Sequence, residues 1–151
     1  MILNLEINKI ESHRHVPVED IRGCKNINND INIRSTALVK RSTPWGEKTV
    51  LRAEYSYAIN YLGPNIGYIR FEGTADYYDD EKRLEQIKKD WDQGSAPIEI
   101  LNEVANTMVA SVTPLAMNIS KSLGLPPAVQ IPKITFQKHK KKGEEPTFYH
   151  G

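Results

Sequence analysis

The sequence predicts an α+β fold, in which a four-stranded antiparallel β-sheet (a meander) precedes two C-terminal helices that pack on one of its faces. Apolar and polar residues alternate with a period of two in four segments of the N-terminal half, which is typical of half-buried strands. Between residues 84 and 123, apolar residues instead recur every three or four positions, which is typical of amphipathic helices. Strands first and helices last favour α+β over a parallel sheet, because predicted strands two to four are joined by tight turns.

Size and charge set the outer limits of this prediction. The chain has 151 residues, which is the length of about one domain. Its 20 Lys and Arg residues almost balance 19 Asp and Glu residues, which argues against a dedicated nucleic-acid binder. Cys24 stands alone, so an internal disulfide framework is excluded and a reducing cytoplasm is the expected location. The sequence contains no run of 18 apolar residues, so we expect no membrane insertion.

The first two strands are separated by a stretch that resembles a loop. Alternation of Leu3, Leu5 and Ile7 with polar residues predicts a strand over about residues 2–10. Residues 11–30 contain Pro17, Gly23 and a cluster of Asn and Asp, and we expect them to be irregular. A second strand is predicted from Ile31 onward.

The register of the next hairpin follows from its charges. Its apolar faces coincide only if the numbers of opposed residues sum to an even number. A sum of 130 places Glu54 opposite Asp76, two like charges, whereas 128 pairs Arg52 with Asp76 and places Tyr55 over Gly73. We therefore predict the register of 128. It also implies two apolar pairs and a five-residue loop: Tyr57 with Phe71, Ile59 with Ile69, and Leu62 to Ile66.

A short helix should follow the fourth strand. Asp79 or Asp80 can cap it, and Gly94 can end it. Its apolar stripe is Leu84, Ile87 and Trp91.

A long helix should come next, with Ser95 as its cap and Pro97 in its first turn. Gly124 supplies a left-handed stop, and Pro114 predicts a kink or break near residue 110. The predicted buried stripe is Ile98, Leu101, Ala105, Met108, Val112, Leu115, Ile119 and Leu123.

The C-terminal residues divide into an apolar and a charged part. Val129 to Phe136 read as a short extended segment, which Pro132 confines to a sheet edge or to no sheet. Residues 137–151 are polar and Lys-rich, so we predict a disordered tail. The expected organisation is one domain over residues 1–136 followed by this tail.

Candidates for catalysis and metal binding each have a simpler explanation. His13 and His15 share one side of a strand and could bind one metal ion, but no third ligand is obvious and Arg14 stands between them. The acidic cluster around Asp79 lies where a strand ends and a helix begins, so capping explains it. Cys24 carries no nucleophile signature. We predict no enzyme activity, no cofactor and no metal site.

The aromatic residues are the more informative set, because eight of them lie between residues 55 and 91. Core packing accounts for most of them, yet tyrosine combines an apolar body with a polar tip and suits adaptable contact surfaces. Five side chains at the hairpin ends and on the short helix are predicted to line a peptide-binding groove: Tyr61, Leu62, Tyr77, Tyr78 and Trp91.

The order of elements resembles the SecB-type protein-export chaperones. Three stretches carry the resemblance: Leu3–Ile10 as the opening strand, Gly46–Tyr55 entering the third strand, and Gly124–Phe136 after the long helix. The resemblance covers residues 1–136 and implies a four-stranded antiparallel sheet, two helices and a dimer of dimers. The Lys-rich tail does not match the segment with which that family contacts the translocase ATPase, so this partner is not carried over.

These observations lead to a functional expectation and an alternative from another class. We expect a non-catalytic protein that holds unfolded or extended polypeptide for export or folding. It should be a homo-oligomer, either a dimer or a tetramer, and we expect no nucleic-acid partner. The alternative is a carrier of a lipid or another small apolar ligand, with a pocket between Met108, Val112 and the tyrosine face of the sheet. A structural subunit of a larger complex is a third possibility.

Overall fold

The computed structural model describes residues 1–63 and 65–127. Its sheet has four strands in the order β1-β4-β3-β2, and every neighbouring pair is antiparallel. The predicted fold class is therefore confirmed. The elements are β1 (Ile2–Arg14), a 3-10 helix (Val18–Gly23), β2 (Asn26–Thr43), β3 (Gly46–Leu62), β4 (Gly67–Tyr77), α1 (Glu81–Asp92) and α2 (Ile98–Leu123).

The predicted meander order is confirmed for β2, β3 and β4 and is wrong for β1. β2, β3 and β4 follow one another, but β1 pairs with β4 at the far edge, which gives a Greek-key arrangement. Pairing β1 with β2 would call for a connection of about two to five residues. Residues 15–25 form a longer crossover that contains the 3-10 helix, and this crossover carries the chain from the β4 side to the β2 edge.

The loop predicted over residues 11–30 is also wrong at both ends. β1 extends to Arg14, and β2 begins at Asn26, so the Asn and Asp cluster belongs to an edge strand. Pairing with β3 overrides the turn-forming composition of the cluster, since Asn26 to Asp30 lie in register with Leu62 to Ala58. Two irregularities in β1, around residues 3 and 8, disturb the alternation from which its end was predicted.

The hairpin register is confirmed in every predicted pair. Arg52 lies opposite Asp76, Tyr55 opposite Gly73, and the last pair before the loop joins Tyr61 and Gly67. A Cβ atom at residue 73 would collide with the Glu6 carbonyl oxygen and with the Tyr55 ring. Glycine thus leaves the space in which the Glu6 carbonyl and the Tyr55 ring meet, and the Tyr55 hydroxyl donates to the Glu6 carbonyl oxygen at 2.9 Å.

Both helices cover the tyrosine face of the sheet. α1 contacts β2 and β3, whereas α2 contacts mainly β1 and β4. Tyr57 and Phe71 are fully buried beneath them, with Leu84 of α1 and Met108 of α2 in the same apolar cluster. The sheet therefore has one apolar, helix-covered face and one polar face.

The buried stripe of α2 differs from the predicted one. Ala105, Met108 and Val112 are buried as expected, but Leu115 is 37% exposed. α2 is apolar around much of its circumference, so the spacing of its apolar residues is compatible with either of two adjacent buried stripes. Packing of the helix on the sheet determines which of the two is buried. The residues it buries are Ile100, Val104, Ala105, Met108, Val109, Val112, Ala116 and Ser120.

Helix ends and the internal proline need smaller corrections. Asp80, one of the two predicted candidates, stands at the N-cap position of α1, but its side chain makes no capping hydrogen bond. α2 starts directly after Pro97, so Ser95 does not cap it. Pro114 lies inside α2 without ending it, and Ala110, whose carbonyl loses its hydrogen-bond donor, is exposed, so water can satisfy that carbonyl. Gly124 ends the helix with a φ of 69°.

Predictions for the C-terminal residues lie outside the described part of the chain. They comprise the extended segment at Val129 to Phe136 and the tail at 137–151, and the domain boundary at residue 136 stays a prediction with them. Within residues 1–63 and 65–127, no helix has the length and apolar character needed to cross a membrane.

Candidate functional site

The five predicted groove residues fall into separate places. Tyr61 and Leu62 lie at the loop end of the β3–β4 hairpin, whereas Tyr77 and Tyr78 lie at its other end, where Tyr77 pairs with Leu51. Leu51 and Tyr61 are ten residue steps apart along β3, a distance of roughly 33 Å. Trp91 on α1 packs against the core and is partly buried. The structure therefore brings together two pairs of these residues rather than all five.

Burial separates residues that can touch a ligand from residues that support the surface. Tyr61 is fully buried and Tyr77 is 6% exposed, so both belong to the core in this conformation. Leu62 is 36% exposed, and Tyr78 and Trp91 are partly exposed. Contact with a ligand at the loop end would accordingly be made by Leu62 and by its neighbours from other elements.

An apolar cleft with a volume of about 620 Å³ lies at the loop end, and none of the five predicted groove residues is among its lining residues. We call it the apolar cleft. It is enclosed by the 3-10 helix, the start of β2 and the residues that follow α2. The lining residues are Val18, Ile21, Arg22, Cys24, Lys25, Asn26, Ile27, Gly124 and Pro126.

Backbone hydrogen bonds fix the walls of the apolar cleft. The Lys25 amide donates to the Leu62 carbonyl oxygen at 2.9 Å, which joins the crossover to the hairpin loop. The Cys24 amide closes the 3-10 turn by donating to the Ile21 carbonyl oxygen at 2.9 Å. After α2, the Leu125 amide donates to the Ser120 carbonyl oxygen at 2.8 Å, and Leu125 itself is buried. The cleft is therefore held by its own backbone before any ligand arrives.

The cleft presents apolar surface beside a strand edge. Val18 is 54% exposed and Ile27 is 37% exposed, although both carry aliphatic side chains. β2 is the last strand in the sheet order, so among the described residues its outer side has no strand partner. An exposed strand edge offers backbone donors and acceptors to another extended chain.

Sequence reasoning missed the cleft residues, although a signal for them exists. Val18, Ile21, Cys24 and Ile27 recur at intervals of three within a polar stretch. A period of three is the repeat of a 3-10 helix, in which residues i and i+3 eclipse one another. This spacing matches neither the helical period of 3.6 nor the strand period of 2, so those two periods predict an irregular loop here.

One polar atom beneath the apolar cleft has no partner. The Tyr61 hydroxyl is buried and has no hydrogen-bond partner among the described residues. Burial raises the pKa of Tyr61 to about 12, with a smaller contribution from Cys24, although the Ser120 hydroxyl lies close enough to lower this pKa slightly. The nearby Ser120 hydroxyl donates instead to the Met117 carbonyl oxygen at 2.9 Å. The residues buried beneath the apolar cleft therefore offer no free backbone or side-chain partner to the Tyr61 hydroxyl within the described part of the chain.

The opposite end of the hairpin carries charges instead. A second cleft of about 410 Å³ lies between the β2–β3 turn and the start of α1, and we call it the charged cleft. Its lining residues are Lys40, Glu47, Lys48, Thr49, Tyr78, Asp79, Asp80 and Glu81. Of the acidic cluster, Asp79 pairs with Arg83 at 3.0 Å and accepts a hydrogen bond from the Tyr77 hydroxyl at 3.2 Å. These contacts tie Asp79 to the end of β4 and to the first turn of α1.

A buried ion-pair network lies at the same end on the polar face of the sheet. Asp76 is 1% exposed and accepts hydrogen bonds from Arg41 at 2.6 Å and from Arg52 at 2.8 Å. Burial alone would raise the pKa of the Asp76 carboxyl, but hydrogen bonds and charge from Arg52 and then Arg41 outweigh it and leave the pKa lowered. The Asp76 carboxylate therefore stays ionised and joins three strands.

The comparisons with known proteins identify a fold. No protein-family model matches the chain, and no curated protein matches it. A SecB-like chaperone from Mycobacterium tuberculosis, solved in complex with a ChAD peptide from the HigA1 antitoxin, matches with a TM-score of 0.50 and 12% identity. The match covers 91% of this chain and 89% of that one. The similarity shows a SecB-like fold.

Proposed function

We propose that this protein binds extended, non-native polypeptide without catalysis, as a chaperone-like holding protein. The observation that carries the proposal is the apolar cleft, in which Val18 and Ile27 stay exposed beside the unpaired edge of β2. An apolar site next to a strand edge is suited to a chain that offers backbone hydrogen bonds and side chains at the same time.

Binding would combine two weak contributions. The backbone of a client adds to the edge of β2, and one of its apolar side chains enters the cleft against Ile21 and Ile27. Burying one aliphatic side chain is worth about 1.5–3 kcal/mol, which gives weak affinity for a single segment. Because strand addition does not depend on side-chain identity, such a site tolerates many sequences.

The fold neighbour supports this proposal, since the SecB-like chaperone was solved with a peptide. From the same resemblance we propose a homo-oligomer, dimer or tetramer, which would multiply the number of clefts available to one client. A role in protein export or folding and a cytoplasmic location belong to the same proposal. No nucleic acid or cofactor takes part in it.

The small-ligand alternative receives less support. It needs a pocket between α2 and the tyrosine face, yet Met108 and Val112 are fully buried there and pack in one cluster with Tyr57. Side chains already occupy the space that such a ligand would take.

The test is a client-binding assay with the full chain and matched charge insertions. Ile27→Asp places a carboxylate in the apolar cleft, and Thr49→Asp places one on a strand that lines the charged cleft. We expect Ile27→Asp to weaken binding of a fluorescent unfolded client, and its protection from aggregation, by about tenfold or more, which corresponds to 1.4 kcal/mol. Thr49→Asp should bind as the unsubstituted protein does.

Val18→Asp gives a second variant, because Val18 is more exposed and lies outside the sheet. Circular dichroism of each variant shows whether its fold is intact. If the unsubstituted protein does not bind unfolded clients, or if both cleft variants bind as well as Thr49→Asp does, the proposal is wrong.

A further inference from the structure

Two imidazole rings stand side by side at the end of β1. The ring centroids of His13 and His15 are 4.5 Å apart, with an angle of 59° between the ring planes, and both residues are exposed. His13 lies in register with Tyr68 of β4. His15 lies just beyond the strand, but its amide donates to the Ile66 carbonyl oxygen at 2.8 Å. The backbone thus holds both histidines where alternate residues of a strand share a side.

The structure removes one of the two sequence arguments against a cation at this place, the charge of Arg14. Arg14 lies between the histidines in sequence but points to the other face of the sheet. Its Nε donates to the Val16 carbonyl oxygen at 2.9 Å, and its Nη1 donates to the Leu123 carbonyl oxygen at the end of α2. The guanidinium is therefore occupied on the helix-covered side.

The other charges near the pair compensate one another. On the same side of β1 and β4, Glu11 pairs with Lys9 at 2.8 Å and with Arg70 at 3.8 Å. Glu72 lies in register with Lys9 and adds a second carboxylate. Arg70 also lies over the Tyr68 ring, with 5.5 Å between the guanidinium carbon and the ring centroid. Two cations and two carboxylates leave little net repulsion for a metal ion.

The ring spacing fits two neighbouring positions of one coordination sphere. An imidazole nitrogen binds a first-row metal at about 2.0–2.1 Å, which puts the ring centroid roughly 3.2 Å from the ion. Two rings at a right angle around the ion then have centroids about 4.5 Å apart, whereas a tetrahedral angle separates them by about 5.2 Å. Right angles are typical of tetragonal Cu²⁺ and Ni²⁺.

We propose that His13 and His15 form a two-ligand site for divalent late transition-metal ions of tetragonal preference, Cu²⁺ and Ni²⁺. Two protein ligands leave the remaining positions to water or to a donor from another molecule. In the described part of the chain, no group of three or more His, Cys, Asp or Glu residues is arranged to hold a metal, so the pair acts without a third protein ligand there. The site lies on the polar face and does not depend on the proposed peptide-binding function.

The experiment is a calorimetric titration of the full chain with Ni²⁺ alone, because Cu²⁺ would also oxidise the Cys24 thiol. We expect one Ni²⁺ per chain. Loss of even an outer-shell partner commonly weakens metal binding 10–100-fold, so His13→Ala and His15→Ala should each weaken it by at least about tenfold. The matched control is His139→Ala with His150→Ala, which removes the other two histidines and should leave the affinity unchanged.

A second measurement locates the ion. Paramagnetic Ni²⁺ should broaden the amide resonances of residues 13, 15 and 68 before those of residues near the apolar cleft. The proposal is overturned if His13→Ala and His15→Ala bind Ni²⁺ as tightly as the unsubstituted chain, if the control variant abolishes binding, or if broadening starts elsewhere. Unchanged thermal unfolding of the two single variants shows that a loss of binding reflects the missing imidazole.

Discussion

The two ends of the β3–β4 hairpin share one strand pairing but differ in chemistry. At the loop end, the 3-10 helix and the residues after α2 bring Val18, Ile21 and Pro126 to an apolar cleft. At the other end, the β2–β3 turn and the start of α1 bring Lys48 and Asp79 to a charged cleft. The hairpin is thus a common platform, and the connections that cross its ends determine which end is apolar and which is charged.

The same difference appears in how each end treats a buried polar group. At the charged end, the Asp76 carboxylate is held by two guanidinium groups. At the loop end, the Tyr61 hydroxyl is buried with no partner among the described residues. Buried polar groups stabilise a fold only when their hydrogen bonds are made, so removing these two groups should have effects of opposite sign.

The largest effect on stability is expected from Asp76→Ala. Removing one member of a buried ion pair commonly costs 3–5 kcal/mol, and we expect about 3 kcal/mol because Arg41 and Arg52 are partly exposed. Urea unfolding measures the change, and Glu54→Ala, on the exposed part of β3, serves as the control with an expected change within about 0.5 kcal/mol. Equal stabilities of the two variants would show that the network contributes nothing.

The second largest effect is expected from acid, which should reduce the stabilisation that the Asp76 ion pairs give. The folded-state pKa of Asp76 lies below its ordinary value of 3.8, so its stabilisation is complete above that pH and is lost as the pH falls through the folded pKa. Each unit of pKa lowering corresponds to about 1.4 kcal/mol. Unfolding free energies measured between pH 7 and pH 2.5 should therefore fall more steeply below pH 3.8 for the unsubstituted protein than for Asp76→Asn. Parallel curves for the two proteins would contradict this assignment.

The smallest effect, and the one of opposite sign, is expected at the loop end. Tyr61→Phe removes a buried hydroxyl without a partner and should stabilise the protein by up to about 1 kcal/mol. Tyr57→Phe is the matched control, because the Tyr57 hydroxyl donates to Asn29 Oδ1 at 3.0 Å and its loss should cost about 1 kcal/mol. Equal destabilisation by both substitutions, in thermal or urea unfolding, would mean that Tyr61 has a partner.

The parts of the fold that could be predicted are those in which neighbouring side chains constrain one another. The hairpin register followed from the charges of Glu54, Arg52 and Asp76 and from the glycine at residue 73, and every pair is confirmed. The parts that could not be predicted depend on distant segments. The site prediction named Tyr61 and Leu62, neither of which lines the apolar cleft, and omitted Val18 and the residues after α2, because these come together only in the folded chain.

By itself, the sequence determined the alternation of the strands, the antiparallel pairing of β2 to β4, and the end of the long helix at Gly124. These features arise from local sterics and from the period of side chains along a strand or helix. Tertiary structure decided that β1 joins β4, which stripe of α2 is buried, and which end of the hairpin is apolar. Those features depend on which apolar surfaces, distant in sequence, pack against one another. A periodic pattern shows that a surface is apolar but does not specify the surface it packs against.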